Sequence, residues 1–276
     1  MKNVWLHRFA ILLAVGALLL IIDGAIVGSG IAVDPSVMSA HRAAAIALGV
    51  LTLGLTIWLV VSDPSREARL LGFLTVTIAA LEGVAGISVV QMMLPQTARI
   101  AHACLAQLFF AALVAIAAVT SPAWSRGSEL VHDYGWPSNR SLAIVSPVLV
   151  LMQIALGAAF RQKAMTLMPH VLGAMFVALV ILMQCIFVLQ QFKSHRALQA
   201  AGKALLGVAF GQVFLGMTAL IMRSMAEETA LPVVMTVASH ITGGAITLAT
   251  TVVLAILVRR NVQPRVEEDP EELVTS

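Results

Sequence analysis

Four of the seven histidines, His41, His102, His170 and His240, stand near the start of an apolar stretch that follows a short connection. An imidazole near the end of a membrane helix is costly unless it is paired or binds something, so each is a candidate ligand. His102 lies in the most informative run, Leu81 to Phe110, which holds the end of one apolar helix, a turn marked by Pro95 and the start of the next. His7, His132 and His195 fall in polar segments, bear no repeat relation to one another, and are assigned no role.

Membrane helices must position these rings. Apolar residues make up 59% of the chain and charged residues 11%, against about 25% charged in a soluble domain. This is the composition of an integral membrane protein. Eight runs approach the roughly 20 apolar residues needed to cross a bilayer: Phe9–Val27, His41–Val61, Leu70–Met92, Ile100–Thr120, Leu142–Phe160, Met168–Leu189, Ala204–Met222 and Met235–Val258. An even number puts both termini on one side. Twelve of the 17 Lys and Arg residues then share the terminal side, which makes it cytoplasmic. Trp5, Trp58, Trp124 and Trp136 all fall near that interface. The net charge of +3 does not point to nucleic acid, because the basic residues are spread over loops and do not interleave with aromatics. Cys104 and Cys185 lie inside apolar helices as small hydrophobes.

A polar insert, 121–141, splits the eight helices into two sets of four, and the halves look duplicated. The expected organisation is a first four-helix bundle over 1–120, a cytoplasmic linker over 121–141, a second bundle over 142–260 and a disordered tail over 261–276. His41 and His102 begin the even helices of the first half, and His170 and His240 those of the second, at separations of 61 and 70 residues. On the odd helices a polar residue precedes a glycine by four: Glu82 and Gly86, Gln153 and Gly157, Gln212 and Gly216. The first helix has Leu20 and Gly24, with Asp23 beside the glycine. Such a pair places a hydrogen-bonding group and a close-approach point on one helix face.

All four histidines are expected within the first turn or two of their helices, at one depth. Two facing imidazoles in a bundle core suit an axially ligated haem. For any single ring the plainer alternative is an interfacial residue bonded to a loop carbonyl, but four in register favour the ligand reading. Zinc is disfavoured, since no third or fourth ligand stands at suitable spacing. Arg42, Arg99, Arg161 and Arg223 lie at the outer face, where guanidinium groups can pair with carboxylates such as haem propionates, or simply snorkel. Eight methionines gather at the outer helix ends; thioethers bind Cu(I), although methionine also serves as apolar filler.

These residues resemble the haem A synthase family, membrane proteins of cytochrome oxidase assembly. The likeness is carried by Glu82-Gly83-Val84-Ala85-Gly86, Leu94-Pro95, His102 and Ala106-Gln107-Leu108-Phe109-Phe110. Gly28-Ser29-Gly30 before His41-Arg42, Gln153 to Gly157 with Arg161, Gln212 to Gly216, and Leu231-Pro232 before His240 add to it. The resemblance implies an all-α integral membrane protein whose eight transmembrane helices form two pseudo-symmetric four-helix bundles. It implies haem b on His170 and His240, and substrate haem O on His41 and His102. The reaction implied is oxidation of a ring methyl to a formyl group, giving haem A. The implied partners are the lipid bilayer, a haem O supplier and the oxidase assembly machinery, with room for a homo-oligomer and no nucleic acid. The implied location is the cell inner (plasma) membrane, multi-pass, with both termini cytoplasmic.

Many members of that family carry a carboxylate three residues before the first histidine, where this chain has Met38. Asp34 and Asp23 are the candidate catalytic carboxylates in its place. Asp34-Pro35 also reads as a helix cap, and Asp23 could orient His41 by accepting its second ring proton. The alternative for Asp23 is a carboxyl kept neutral by burial, and Glu82, deeper in the bilayer, reads as a protonated interhelical hydrogen bonder. With Met38 in view, the alternative to the enzyme is a non-catalytic bis-histidine cytochrome b.

Overall fold

A computed structural model describes residues 4–29, 31, 34–63, 65–90, 96–134 and 136–264, with the side chains of 88–90 also outside the description. Its helices are α1 (Val4–Val27), α2 (Pro35–Ser62), α3 (Arg66–Val90), α4 (Gln96–Thr120), α5 (Asn139–Arg161), α6 (Met168–Gln191), α7 (Arg196–Met225) and α8 (Leu231–Asn261). All eight are long and apolar enough to cross a membrane. Two-residue strands β1 (Val131–His132) and β2 (Val262–Gln263) pair in parallel.

Local chemistry sets the helix starts. Asp34 caps α2 by accepting a hydrogen bond from Ser36 N at 2.8 Å, with Pro35 supplying the fixed φ of a first turn. Ser138 caps α5 through Ser141 N. Prolines also sit in the first turns of α6 and α8. His195 caps α7: its Nδ1 accepts from Leu198 N at 3.2 Å, which accounts for one of the histidines outside the repeat. His7 Nδ1 meets Ala117 O of α4 at 2.9 Å, which accounts for another.

In the first half α1, α2, α3 and α4 contact one another in a closed ring, and α5 to α8 do the same in the second. The halves meet through α4 against α8, flanked by α4 against α5 and α1 against α8. Exchanging the halves maps α4–α5 onto α8–α1 and α4–α8 onto itself, which is the pattern of an isologous two-fold interface. Burial follows from this. Of their most apolar windows, 61% is buried in α4 and 50% in α8, against 28% or less in every other helix, whose remaining faces are left to lipid. Lipid tails are as apolar as leucine, so close approach rather than water exclusion holds such helices together. The buried positions of these two helices are accordingly rich in small residues: Ala111, Ala112, Ala115 and Ala117 on α4, and Gly244, Ala245 and Ala249 on α8. Phe109, Phe110, Leu113, Leu248 and Leu254 fill the remaining core.

The expected boundaries need three corrections. First, α5 begins at Asn139, inside the expected linker, because Ser138 satisfies the backbone at the helix start. Second, the tail does not leave the fold at 261. Val262 and Gln263 pair with Val131 and His132, and Val262 is buried. Residues 265–276 lie outside the described ones. Third, His240 is not within two turns of its helix start. It is the tenth residue of α8, whereas His170 is the third of α6.

The linker is a built structure. Buried Asp133 accepts hydrogen bonds from Asn139 Nδ2 at 3.3 Å and Arg140 N at 3.2 Å. Its own backbone N–H donates to Gln263 O at 3.1 Å. Arg140 donates to Val262 O, Glu129 N to Asn261 Oδ1, and Arg260 to Trp124 O while stacking over that indole. The start and end of the second half are thereby clasped together on the terminal face.

Candidate functional site

Each of the four histidines packs against a glycine on the preceding odd helix. A Cβ built on Gly24 would lie 3.1 Å from His41 Cε1, and one on Gly86 would lie 3.3 Å from His102 Cε1. The corresponding distances are 2.8 Å from Gly157 to His170 and 2.9 Å from Gly216 to His240. Ordinary carbon contacts fall at about 3.5–4.0 Å, so the glycines are cradles that any side chain would partly fill. The repeat legible in the sequence is thus a repeated contact: an even-helix imidazole lying on an odd-helix glycine.

The polar residue of each odd helix addresses the same ring. His41 Nδ1 is 2.6 Å from Asp23 Oδ2 and His102 Nδ1 is 3.0 Å from Glu82 Oε1. Gln153 Nε2 is 2.9 Å from His170 Nδ1 and 2.7 Å from His170 O. His240 Nδ1 is buried without a hydrogen bond, near Gln212 on the facing helix. For His41 and His170 the partner takes Nδ1, which leaves Nε2 as the outward-facing nitrogen; His102 Nδ1 lies at ion-pair distance from Glu82 but makes no hydrogen bond. A carboxylate only accepts, so Asp23 fixes the proton on Nδ1 and leaves Nε2 its lone pair. An amide offers both a donor and an acceptor and can serve either tautomer.

In the second half the two rings meet across the bundle axis. The His170 and His240 centroids are 6.2 Å apart with ring planes at 86°. Two imidazoles that each gave a nitrogen to one metal at about 2.0–2.1 Å would have their centroids about 6.3 Å apart, so His170 and His240 would be able to hold a metal between them. Binding through Nε2 would turn the Gln153 amide so that Oε1 receives the Nδ1 proton. Gln153 Oε1 is at present buried without a partner and packs on Gly173 of α6, as Gln212 Oε1 packs on Gly243 of α8. In the first half His41 and His102 stand on α2 and α4, the matching diagonal pair of helices.

Glu82 therefore faces a histidine, a role the sequence reading did not give it. Its other oxygen, Oε2, is buried without a partner. Gly173 and Gly243, each three residues after a histidine, were also not anticipated; the shared spacing His-x-x-Gly on α6 and α8 was the available signal. Asp34 is exposed and committed to the α2 cap, and the Ser36 hydrogen bonds hold its carboxyl below the usual carboxylate range. No contact among the described residues brings it to His41, so of the two candidate catalytic carboxylates only Asp23 reaches the site. Arg161 donates to Ala25 O of α1 at 2.6 Å and Arg223 is paired with Glu228, so both are engaged within the protein. Arg42 and Arg99 are exposed beside their histidines. Met92 and Met93 lie outside the described residues.

Two imidazole-bearing four-helix bundles in pseudo-two-fold array define a duplicated multi-pass membrane protein with one histidine pair in each half. Residues 36–169, a little under half of the chain, match the family described as cytochrome oxidase assembly protein. The matched stretch holds His41, Glu82 and His102 and ends one residue short of His170. No curated protein matches the chain.

Proposed function

We propose that the chain is a haem A synthase-like oxidoreductase of the cell inner membrane, with both termini cytoplasmic, converting haem O to haem A. In this reading His170 and His240 hold haem b, and His41 and His102 receive haem O. The observation that carries it is the 6.2 Å separation of the His170 and His240 rings across the bundle axis. When bound, haem b supplies a one-electron redox centre. The chain's own residues do the rest. Asp23 takes the Nδ1 proton of His41 and sets the ring's orientation. Glu82 lies 3.0 Å from His102 Nδ1, close to that ring but not hydrogen-bonded to it. The glycines let each ring approach its neighbouring helix, and Arg42 and Arg99 are available to propionates at the outer rim. The lipid bilayer, a haem O supplier and the oxidase assembly machinery are the proposed partners.

Met38 favours a second reading, a bis-histidine cytochrome b that moves electrons or holds haem without turnover. It stands where many family members have a carboxylate, and a thioether cannot stabilise positive charge at a reacting carbon as a carboxylate does. Haem extraction after expression in cells that make haem O separates the two. Haem A in the wild type and its loss in His41→Ala support the enzyme. Bound haem b without haem A leaves the cytochrome. Loss of the reduced-haem spectrum in His170→Ala and in His240→Ala tests the second-half assignment in either case.

A further inference from the structure

We propose that the second-half site is completed from the first half: Gln107 of α4 is a positioning residue that holds the Gln212 carboxamide and, through it, the His240 ring. The inference rests on the reading that His170 and His240 hold haem b. Gln107 is only 6% exposed, and its Oε1 is buried without a hydrogen bond. What surrounds that oxygen belongs to the second half. A Cβ built on Gly244 of α8 would lie 3.5 Å from Gln107 Oε1, 3.4 Å from Gln212 Nε2 and 4.0 Å from Ile154 Cγ1. The oxygen of one amide and the nitrogen of the other thus border the gap left by a single glycine, one turn beyond His240.

The two amides that support the second-half histidines are held differently. Gln153 Nε2 has His170 Nδ1 at 2.9 Å and His170 O at 2.7 Å. The Gln212 carboxamide has no hydrogen bond among the described residues, and both its Oε1 and His240 Nδ1 are buried without one. Three unsatisfied groups therefore follow one another from α4 through α7 to α8. Buried polar groups are rarely left unpaired, and a carboxamide carries both a donor and an acceptor. A turn of the Gln212 side chain gives its N–H to Gln107 Oε1 and its Oε1 to the Nδ1 proton of His240. That leaves His240 Nε2 unprotonated, the tautomer that a ligating histidine with an outer acceptor adopts.

The duplication marks Gln107 as an addition to one copy. With His102 set against His240, the five-residue step that reaches Gln107 on α4 reaches Ala245 on α8. Ala245 is fully buried and has no polar group to return. At this point the pseudo-symmetry is broken: the first half gives an amide to the second and receives none.

The test is a double-substitution cycle of Gln107→Met and Gln212→Met in the full-length protein, on a His41→Ala background so that only the second-half site is read. Methionine keeps the length of the side chain without its amide. Haem b affinity is measured by titration of the apoprotein. The bound ferric haem is followed by electron paramagnetic resonance, which responds to the angle between axial imidazole planes, and the apoprotein by its unfolding midpoint in detergent. Gln107→Met should weaken haem b binding roughly 2- to 10-fold, the size of one neutral hydrogen bond, and should shift the resonance. Neither change should occur where Gln212 is already methionine, and the unfolding midpoints should be non-additive in the same way. Unaltered affinity and resonance in Gln107→Met, or changes of equal size on the Gln212→Met background, would overturn the inference while leaving the haem assignment intact. If no haem b binds with Gln107 and Gln212 both in place, the haem reading falls and the ligand role of Gln107 with it. Additive midpoints in the apoprotein would overturn the contact between the two amides whether or not haem binds.

Discussion

Replacing Gly157 by alanine tests the cradle geometry most sharply. The added Cβ would lie 2.8 Å from His170 Cε1 and 3.2 Å from His170 Nδ1. Carbon atoms settle at about 3.5–4.0 Å, so the ring must retreat by about 0.7 Å or more, or the helices must part. Metal–nitrogen bonds tolerate only about 0.2 Å of departure from their preferred length. Overpacking of this kind costs about 1–3 kcal/mol. If it falls on the ligand, haem b affinity drops roughly 5- to 140-fold, at 1.4 kcal/mol per factor of ten. The assay is haem titration of the apoprotein, read from the reduced-minus-oxidised spectrum, with Gly49→Ala as the control because nothing lies within 4 Å of a Cβ there. Gly86→Ala, at 3.3 Å from His102 Cε1, should give a smaller effect on the first-half site. Gly157→Ala binding haem as tightly as Gly49→Ala would refute the reasoning.

Asp23→Asn should weaken haem binding in the first half about 10- to 100-fold, since outer partners of ligating histidines have effects of that size; haem titration of a His170→Ala background isolates this site. Asp133→Ala should destabilise the protein by about 1–3 kcal/mol by removing the acceptor of the Arg140 backbone N–H and one of the two acceptors of Asn139 Nδ2, seen as a lower midpoint of thermal unfolding in detergent and faster proteolysis near residue 130. The Asp34 carboxyl titrates below its unfolded value of about 3.9, so its cap stabilises α2 above that pH and the contribution is lost as pH falls through the lower folded value. Asp34→Ala should remove that acid-side dependence from stability measured between pH 5 and pH 3.

The membrane class, the eight helices and the duplication were legible because a bilayer imposes a length and composition that few other environments demand. The four histidines and their glycines were legible as a repeat, since spacing along a helix survives without knowledge of its neighbours. Which atoms would meet was harder to read. Glu82 could be placed on a helix face but not opposite His102, because that depends on the tilt between α3 and α4. Asp34 offered two roles, and the backbone at the start of α2 took it for capping. The position of His240 was misjudged because Ala230, the capping residue of α8, carries no polar side chain, and the apolar run counted from Met235 was taken for the helix start although Pro232 already marks its first turn. The clasp of 131–132 on 262–263 joins segments more than a hundred residues apart through backbone pairing that no local pattern encodes.

The self-matching wall between α4 and α8 implies something about ancestry. A surface that fits its own copy is what a homodimer of separate four-helix proteins would have used, and because such a unit begins and ends on one side of the bilayer, a short connector was enough to fuse two of them. Once fused, each copy was released from having to serve both roles, and the supporting side chains could drift apart, acidic in one and neutral in the other, while the wall kept them docked.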